Sequence, residues 1–317
     1  MGVVKLCWLP GRVAQPFFVA KRSIMLILFP HSPKTPLIVD AEFADEWNAA
    51  RAVGFATGFY DDHLVRSGDV VASLQILPET REPTALLLRG WMLPGEVYST
   101  LFDALTNRGY KPQTTPDAYE EAHYLPLAYP HIQGQSPRSA WIVGDDVEAA
   151  WDIYKTFAGS NAIIKDWVKS AKNRWKDGCF LPANTPQEVF RATYRVFGEA
   201  RGNLFNRGVV LREFVPIVEM GSDIRGLPIV EETRLFFWRG EILVLPDSSS
   251  PGPLDERARW EQIARRFKSP FVTVDVAHLT GGSWKVVEVG DGGVSGLPTG
   301  LDPMQFYTNL RESTKIE

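Results

Sequence analysis

The sequence predicts a small doubly wound α/β domain followed by an α+β domain with antiparallel sheet. Strand-like and helix-like segments alternate over residues 25–135, a pattern that favours parallel strands covered by helices. Over residues 136–317 the strand-like segments are longer and are joined by hairpin-sized turns, which indicates antiparallel pairing. The polar, turn-rich run from Gly134 to Arg138 separates the two patterns and marks the predicted domain boundary.

The first half alternates short apolar runs with segments whose apolar residues recur at helical spacing. Gly54 and Gly109 are placed to end its two helices. The predicted strands are residues 25–29, 55–59 and 84–88, and the predicted helices are residues 40–53 and 94–108.

Apolar runs and helical spacing also divide the second half into predicted strands and helices. An Arg239-Gly240 turn joins one pair of these strands. The predicted helices are residues 146–157, 185–198, 255–267 and 302–312. The predicted strands are residues 162–167, 208–217, 232–238, 241–245, 271–279 and 284–290.

The composition argues against several classes of protein. Lys and Arg number 34 and Asp and Glu number 38, for a formal net charge of −4, so we expect no nucleic-acid partner. Only two cysteines occur, Cys7 and Cys179, which argues against a disulfide framework and predicts a reducing, cytoplasmic compartment. Residues 1–24 interrupt short apolar runs with basic residues, so we expect a disordered extension rather than a signal peptide or a membrane span.

A lysine on a strand is the first candidate for chemistry. Lys165 alternates with apolar neighbours, while Lys169 and Lys172 crowd the turn that follows. A lysine that faces the interior needs an anion, because an unpaired buried ammonium is costly. An ordinary charged surface turn accounts for the same residues, so this run alone does not decide between the two interpretations.

Three acids form the second candidate. Asp275 and Glu288 lie on two apolar strands joined by a glycine-rich turn, with Asp291 just beyond, so strand pairing would bring them to one end of the sheet. Such a cluster of hard oxygen ligands suits magnesium bound beside phosphates. Solvated hairpin ends are the alternative.

Two further strands carry polar residues. Arg234 could grip a phosphate or carboxylate with its planar guanidinium, although a cross-strand ion pair accounts for it as well. The strand over residues 208–217 is interrupted by Arg212 and Glu213 and stopped by Pro216, which leaves backbone groups free for the edge of a purine. An edge strand without a ligand is the alternative.

The order of these features along the chain resembles the ATP-grasp superfamily. More narrowly, the sequence looks like the ATP-grasp clade named for two arginines and a lysine. The runs that carry the likeness are Ile164-Lys-Asp-Trp-Val-Lys-Ser-Ala-Lys172, Leu211-Arg-Glu-Phe-Val-Pro216, Val287-Glu-Val-Gly-Asp-Gly292 and, upstream, Leu88-Arg-Gly-Trp-Met-Leu-Pro94. The likeness spans roughly residues 25–300, and the sequence has neither a Gly-x-Gly-x-x-Gly fingerprint nor a Walker lysine motif.

The resemblance implies an ATP-grasp fold in which ATP and Mg²⁺ bind between two lobes, residues 136–206 and 207–317. Lys165 matches the strand lysine that meets the phosphates. Lys169 and Lys172 match a loop that closes over the β- and γ-phosphates and takes part in catalysis.

The resemblance also assigns an adenine site and a catalytic arginine. Glu213 and the backbone of Phe214 and Val215 match the hinge strand that reads adenine. Arg234 matches the arginine that steadies the transferred phosphoryl group.

Asp275 and Glu288 match the superfamily's magnesium-binding pair. The superfamily usually places an asparagine two residues after the glutamate, whereas this chain has Gly290 there. The third metal ligand is therefore carried to Asp291.

The reaction that the resemblance implies is an ATP-dependent union of a carboxylate with an amine through an acyl phosphate. The substrates would be small molecules or peptides, with Arg89 and Tyr119 on the acceptor side, and many relatives are homodimers. A phosphotransferase on the same ATP site and a catalytically silent nucleotide-binding module are the alternatives. The retained metal-side acids speak against the silent module.

Overall fold

The computed structural model describes residues 25–35, 37–222, 228–244 and 255–314. The predicted extension, residues 1–24, lies outside the described residues, as does the end of the strand predicted over residues 241–245. Within the described ranges, no helix is both long enough and apolar enough to cross a membrane.

A parallel sheet covered by helices forms the first part of the chain. Its strands are β1 (Leu26–Pro30), β2 (Ala56–Tyr60), β3 (Thr84–Leu88) and β4 (Tyr110–Pro112). Its helices are α1 (Ala44–Ala52), α2 (Asp62–Ser67), α3 (Val70–Ser73) and α4 (Gly95–Asn107), with a short 3-10 helix at Ala41–Phe43. The order β2-β1-β3-β4 with parallel pairing confirms the predicted α/β layer.

Two helices follow in a stretch where the sequence predicted none, α5 (Pro116–His123) and α6 (Leu125–Ile132). The Thr115 side chain caps α5 by accepting a hydrogen bond from the Ala118 N–H at 3.4 Å. Pro130 lies inside α6, and proline is ordinarily a helix breaker. The proline concealed α6, whereas Thr115 followed by Pro116 was a start signal for α5 that the sequence analysis did not use.

The first lobe is built on an antiparallel sheet. Its strands are β5 (Ser139–Trp141), β6 (Ala162–Asp166), β7 (Phe180–Leu181) and β8 (Val209–Glu213), in the order β5-β8-β6-β7. Its helices are α7 (Val147–Lys155), α8 (Trp175–Gly178) and α9 (Gln187–Arg201), with 3-10 helices at Lys172–Arg174 and Gly202–Leu204. Because β8 pairs with β5 and β6, this sheet continues past the predicted lobe boundary after residue 206.

The second lobe is also antiparallel. Its strands are β9 (Glu219–Ser222), β10 (Pro228–Val230), β11 (Glu232–Trp238), β12 (Glu241–Ile242), β13 (Phe271–His278) and β14 (Trp284–Asp291). Its helices are α10 (Arg257–Ala264) and α11 (Pro303–Ser313). The main sheet has the order β12-β11-β13-β14, and β9 and β10 form a separate two-stranded sheet.

Helices cover both faces of the main sheet of the second lobe, except for the part of one face that lines the cleft. Its core face packs on α6 and α10, with Val274, Val276 and Val286 fully buried. On the opposite face, Phe236 and Phe271 pack against α1 and α11. Arg234 of β11, Asp275 of β13 and Glu288 of β14 lie on that same opposite face, beyond the two aromatic residues.

Candidate functional site

The turn after β6 is built by Asp166, which is completely buried. Its Oδ1 accepts hydrogen bonds from the N–H groups of Val168 at 2.7 Å and Lys169 at 2.6 Å, and its Oδ2 accepts one from Arg201 Nε at 2.7 Å. The Asp166 N–H donates to the Lys169 carbonyl at 2.9 Å. The chain therefore folds back on itself, and one hydrogen-bonded turn carries both Lys165 and Lys169.

Lys165 faces away from the apolar core of the first lobe and is still only 9% exposed. Burial lowers its pKa to about 8; Glu288 opposes this fall, and Arg212 adds to it. A buried ammonium that keeps much of its charge at neutral pH needs an anion close by. An anion near Lys165 would therefore stabilise its charge.

Arg234 and Asp275 form a bidentate pair on the second lobe. Arg234 Nε lies 2.8 Å from Asp275 Oδ1, and Arg234 Nη2 lies 2.7 Å from Asp275 Oδ2. Burial raises the pKa of Asp275, and the Arg234 guanidinium opposes that rise. The cross-strand ion pair considered as an alternative for Arg234 is therefore present, and it holds the guanidinium on the cleft face.

Glu288 lies directly opposite Asp275 in the strand register and faces the first lobe. Its Oε1 is 3.1 Å from Lys169 Nζ, so an ion pair joins the two lobes across the cleft. Burial alone would raise the pKa of Glu288, but Lys169 and Lys165 together lower it. The lysine turn and the acid pair, predicted from separate runs of sequence, meet here.

Lys172 and Glu232 extend this charged surface. Lys172 is exposed at the start of the 3-10 helix, and its charge helps to lower the pKa of Glu288. Loss of solvation raises the pKa of Glu232, the nearby Asp275 adds to the rise, and Lys172 opposes it. Glu232 and Arg234 are two residues apart on β11, so their side chains share a face of the strand.

The predicted adenine site lies at the end of β8. The Phe214 N–H donates to the Asn161 carbonyl at 2.8 Å and so is not available to a base. The Phe214 ring instead packs edge-on against Phe180 at 5.2 Å and Trp175 at 5.7 Å. The hinge therefore offers an aromatic surface beside Val215.

The backbone N–H groups of Glu213 and Val215 differ in whether they have a partner within the part of the protein that the structure describes. The Glu213 N–H donates to the Arg138 carbonyl at 2.8 Å. Among the described residues, nothing accepts a hydrogen bond from the Val215 N–H. Val215 thus fits the predicted role better than its two neighbours, and Glu213 is half-buried at the strand end.

The structure does not bring Asp291 to the acid pair. Its carboxylate accepts hydrogen bonds from Thr114 Oγ1 at 2.9 Å, Ser269 Oγ at 3.1 Å and the Gly293 N–H at 2.8 Å. Burial raises its pKa to about 6. Residues 288 and 291 are an odd number of positions apart, so their side chains leave opposite faces of β14. Asp291 joins the two halves of the chain.

The remaining acids fit a magnesium ion only in company with a nucleotide. The described part of the chain contains no group of three or more His, Cys, Asp and Glu side chains placed to hold a metal ion. Asp275 and Glu288 supply two neighbouring carboxylates, whose present partners are Arg234 and Lys169. Mg²⁺ commonly binds through one or two carboxylates together with phosphate oxygens, so the pair fits that arrangement.

His123, at the end of α5, is a neighbour of the site that the sequence analysis did not single out. Its ring packs on Tyr119 at 4.2 Å, and its Nδ1 lies 3.0 Å from the Tyr119 carbonyl oxygen. Burial lowers its pKa to about 4, and the charges of Lys169 and Glu288 also act on it. Because α5 was not predicted, no local pattern indicated that His123 would reach the cleft.

Arg89 and Tyr119 do not form the acceptor side that was expected of them. Arg89 is completely buried, and its Nε and Nη2 bond to Glu46 at 2.9 and 2.7 Å. Its Nη1 donates to the carbonyl oxygens of Gly292 and Ser295. Tyr119 is 1% exposed. Arg89 therefore joins β3 to the loop after β14, and it has no free donor pair for a substrate.

Solved structures with the same fold are ATP-grasp ligases and related proteins. The ligase PsnB, solved with a variant precursor, Mg and ADP, is 13% identical at a TM-score of 0.53, over 94% of this chain and 98% of that chain. The D-cycloserine synthetase DcsG is 14% identical at 0.53, over 91% and 99%. A RimK-domain ATP-grasp protein from Sphaerobacter thermophilus is 14% identical at 0.54, over 90% and 98%. No curated protein matches the sequence.

The match to a family model agrees with the fold. Residues 156–310 match the model of an ATP-grasp domain, family 3 of the clade named for two arginines and a lysine. This range contains Lys165, Arg234, Asp275 and Glu288. The predicted fold and resemblance are confirmed, and residues 156–310 belong to the ATP-grasp superfamily.

Proposed function

We propose that the protein is an ATP-dependent ligase that joins a carboxylate to an amine, with Mg-ATP bound in the cleft between the lobes. The observation that carries this proposal is the ion pair across the cleft, in which Lys169 Nζ lies 3.1 Å from Glu288 Oε1. Lys165 lies on the same turn as Lys169, and on the facing sheet Asp275 lies between Arg234 and Glu288. Cations and carboxylates thus meet in one place.

The charges of the cleft suit exchange with a metal–nucleotide complex. Lys169 and Arg234 now neutralise Glu288 and Asp275. A polyphosphate would attract the lysines and the arginine, and the carboxylates released from them would be free to bind a divalent cation. Each group then keeps an opposite charge nearby, so the exchange avoids leaving a buried charge unpaired.

The proposed reaction has two steps. An oxygen of the substrate carboxylate attacks the γ-phosphorus, the bond to the β-phosphate oxygen breaks, and ADP leaves. The amine then attacks the acyl carbon, inorganic phosphate leaves, and the amine loses a proton. Lys165, Lys169 and Lys172 would neutralise the phosphates, and Arg234 would hold the transferring group in line. Mg²⁺, when bound, would supply further neutralisation of the phosphate charge.

The neighbouring structures support ligase chemistry but differ in what they act on. PsnB has been solved with precursor peptide PsnA2, whereas DcsG is a D-cycloserine synthetase. For this chain we therefore propose a small-molecule or peptide carboxylate and an amine. A phosphotransferase on the same site is the second candidate, because its first chemical requirement, a neutralised γ-phosphate, is the same.

Replacement of Lys165 by Met is expected to weaken binding of a non-hydrolysable ATP analogue by about 10- to 100-fold, since a hydrogen bond to a charged group contributes about 1.5–3 kcal/mol. Because the pKa of Lys165 is about 8 in the free protein, affinity should fall as the pH rises above 8. A bound phosphate raises that pKa, so binding at pH 8.5–9 should take up a proton. Calorimetry in buffers of different ionisation enthalpy measures this uptake.

The control is Lys155→Met on α7, where the lysine is exposed and forms an ion pair with Asp152. This variant should bind and take up protons as the parent does. If the Lys165 variant binds the analogue with parental affinity, or still takes up a proton on binding, then Lys165 does not bind the phosphates.

A further inference from the structure

Strand β14 contains a bulge immediately before Glu288. Asp275 pairs with Glu288, but the next residue of β13, Val276, pairs with Val286, so Val287 has no partner in the register with β13. In an unbroken strand, residues 286 and 288 would share a face, and Val286 lies fully buried on the core face. The extra residue therefore turns Glu288 from the core to the cleft.

An arginine from the first lobe donates hydrogen bonds to the bulge. Arg212 lies on β8 and is 6% exposed. Its Nη1 donates to the Val287 carbonyl at 2.6 Å, and its Nη2 donates to the Val286 carbonyl at 3.2 Å. Its Nη2 also lies 2.7 Å from Ser136 Oγ. A bulge leaves carbonyl groups outside the regular ladder, and these donors satisfy them.

The segment between the two halves of the chain closes the same edge of β14. The Val286 N–H donates to the Gln135 carbonyl at 2.8 Å, and Lys285 Nζ donates to the Gly134 carbonyl at 2.8 Å. With Ser136 bound to Arg212, the segment and the arginine together hold the strand at Lys285, Val286 and Val287. The predicted domain boundary is thus hydrogen-bonded to the strand that carries Glu288.

Glu288 is also the strongest compensating charge for Arg212. Burial lowers the pKa of Arg212 to about 10, and among the groups that oppose this fall Glu288 has the largest effect. Both residues also act on the pKa of Lys165, which Glu288 raises and Arg212 lowers. The guanidinium therefore lies close enough to the acid and the lysine to influence both, while its identified hydrogen bonds go to the strand and to Ser136.

We propose that Arg212 is a positioning residue that holds the bulge at Val287 and so keeps the Glu288 carboxylate on the cleft face beside Asp275. Through Arg212, the hinge strand of the first lobe sets the geometry of a divalent-cation site on the second lobe. This inference rests on the proposed function, in which Asp275 and Glu288 bind a cation together with the nucleotide. Arg212 acts on that cation through Glu288 and does not contact the phosphates.

The test is the affinity of a non-hydrolysable ATP analogue for the whole chain, measured in excess Mg²⁺ and in chelator. The ratio of the two affinities is the metal effect. Arg212→Met should reduce the metal effect by about tenfold, as loss of residues that orient metal ligands does, and should change the affinity in chelator by less than about twofold. Arg212→Lys keeps the charge without the planar fork and should give an intermediate value.

A double-mutant cycle with Glu288→Gln separates positioning from other roles. If Arg212 acts through Glu288, then Arg212→Met should change the metal effect by less than about twofold once Glu288 has been replaced. If the two substitutions reduce the metal effect independently, so that their factors multiply in the double variant, the proposal is overturned. A large loss of affinity in chelator would also overturn it, because it would show that Arg212 binds the nucleotide directly.

Arg259→Met is the matched structural control. Arg259 also bonds to Gln135 and to a β14 carbonyl, that of Trp284, but farther from Glu288. It should lower the melting temperature and leave the metal effect unchanged. If Arg212→Met does not fold, Ser136→Ala removes one partner of the guanidinium and should shift the metal effect in the same direction by a smaller factor; an unchanged metal effect there contradicts the proposal.

Failure of this inference is distinguishable from failure of the proposed function. If the parent protein shows no metal effect on nucleotide binding, the proposed cation site itself is wrong. If the parent shows the effect and both the Arg212 and the Ser136 variants retain it in full, the cation site stands and only the role of Arg212 is refuted.

Discussion

Replacement of Glu288 by Gln is expected to lower ATP-dependent turnover by about 10²–10³-fold, the usual cost of removing one group that stabilises transition-state charge. The substitution keeps the shape of the side chain and removes one of the two carboxylates offered to the cation. The fold should survive, because the pair with Lys169 is substantially exposed, and such pairs contribute about 1 kcal/mol or less. Release of ADP and the thermal unfolding curve are the two measurements.

The control is Glu199→Gln, which changes an exposed carboxylate on α9. It should show parental turnover and parental melting. Full activity of the Glu288 variant would refute the proposed cation site, whereas simultaneous loss of turnover and of the folded state would assign Glu288 to stability instead.

Replacement of Arg89 by Met is expected to destabilise the protein by about 3–5 kcal/mol, because it leaves the buried Glu46 carboxylate without its counter-charge. It also removes donors from the carbonyl groups of Gly292 and Ser295. Denaturant unfolding measures the change. Arg191→Met breaks an exposed ion pair and should cost about 1 kcal/mol or less.

The Arg89 variant also separates the two roles considered for this residue. An acceptor-site arginine would be lost with little change in stability and a large fall in turnover. Because Arg89 is buried, we expect a large loss of stability instead, while the fraction of protein that remains folded keeps its turnover. Near-parental stability with abolished turnover would show that Arg89 belongs to the acceptor site.

Local sequence patterns predicted the strands of the site because burial and charge alternate within a few residues. Lys165 and Asp275 both interrupt apolar strands, and such interruptions are visible without any tertiary information. Strand pairing then brought together groups that the order of motifs had suggested. The turn that presents Lys169 depends on Asp166, which lies in the same short run.

Other features depend on partners far away in sequence. Arg89 bonds to Glu46, 43 residues away, and Tyr307 Oη donates to the same carboxylate from 261 residues away. No local pattern distinguishes such an arginine from one that binds a substrate. The burial of Arg89 is therefore a tertiary property that sequence analysis could not supply.

The bulge at Val287 explains the outcome for Asp291. Unbroken alternation from the buried Val286 would have put residue 288 on the core face and residue 291 on the cleft face. The extra residue reverses both, so Glu288 reaches the cleft and Asp291 bonds to Thr114 and Ser269. A bulge depends on tertiary contacts, here those of Arg212, and the sequence carries no local signal for it.

The most direct test of the proposed ligase chemistry is the fate of oxygen during turnover. Fractions of cell extract that make the protein release phosphate from ATP would identify the carboxylate and the amine. With the carboxylate labelled with heavy oxygen, the acyl-phosphate route predicts one labelled atom in each inorganic phosphate released, because the carboxylate oxygen that attacks phosphorus leaves with it. Release of unlabelled phosphate in a productive reaction would contradict the account, and phosphate retained on the product would indicate a phosphotransferase.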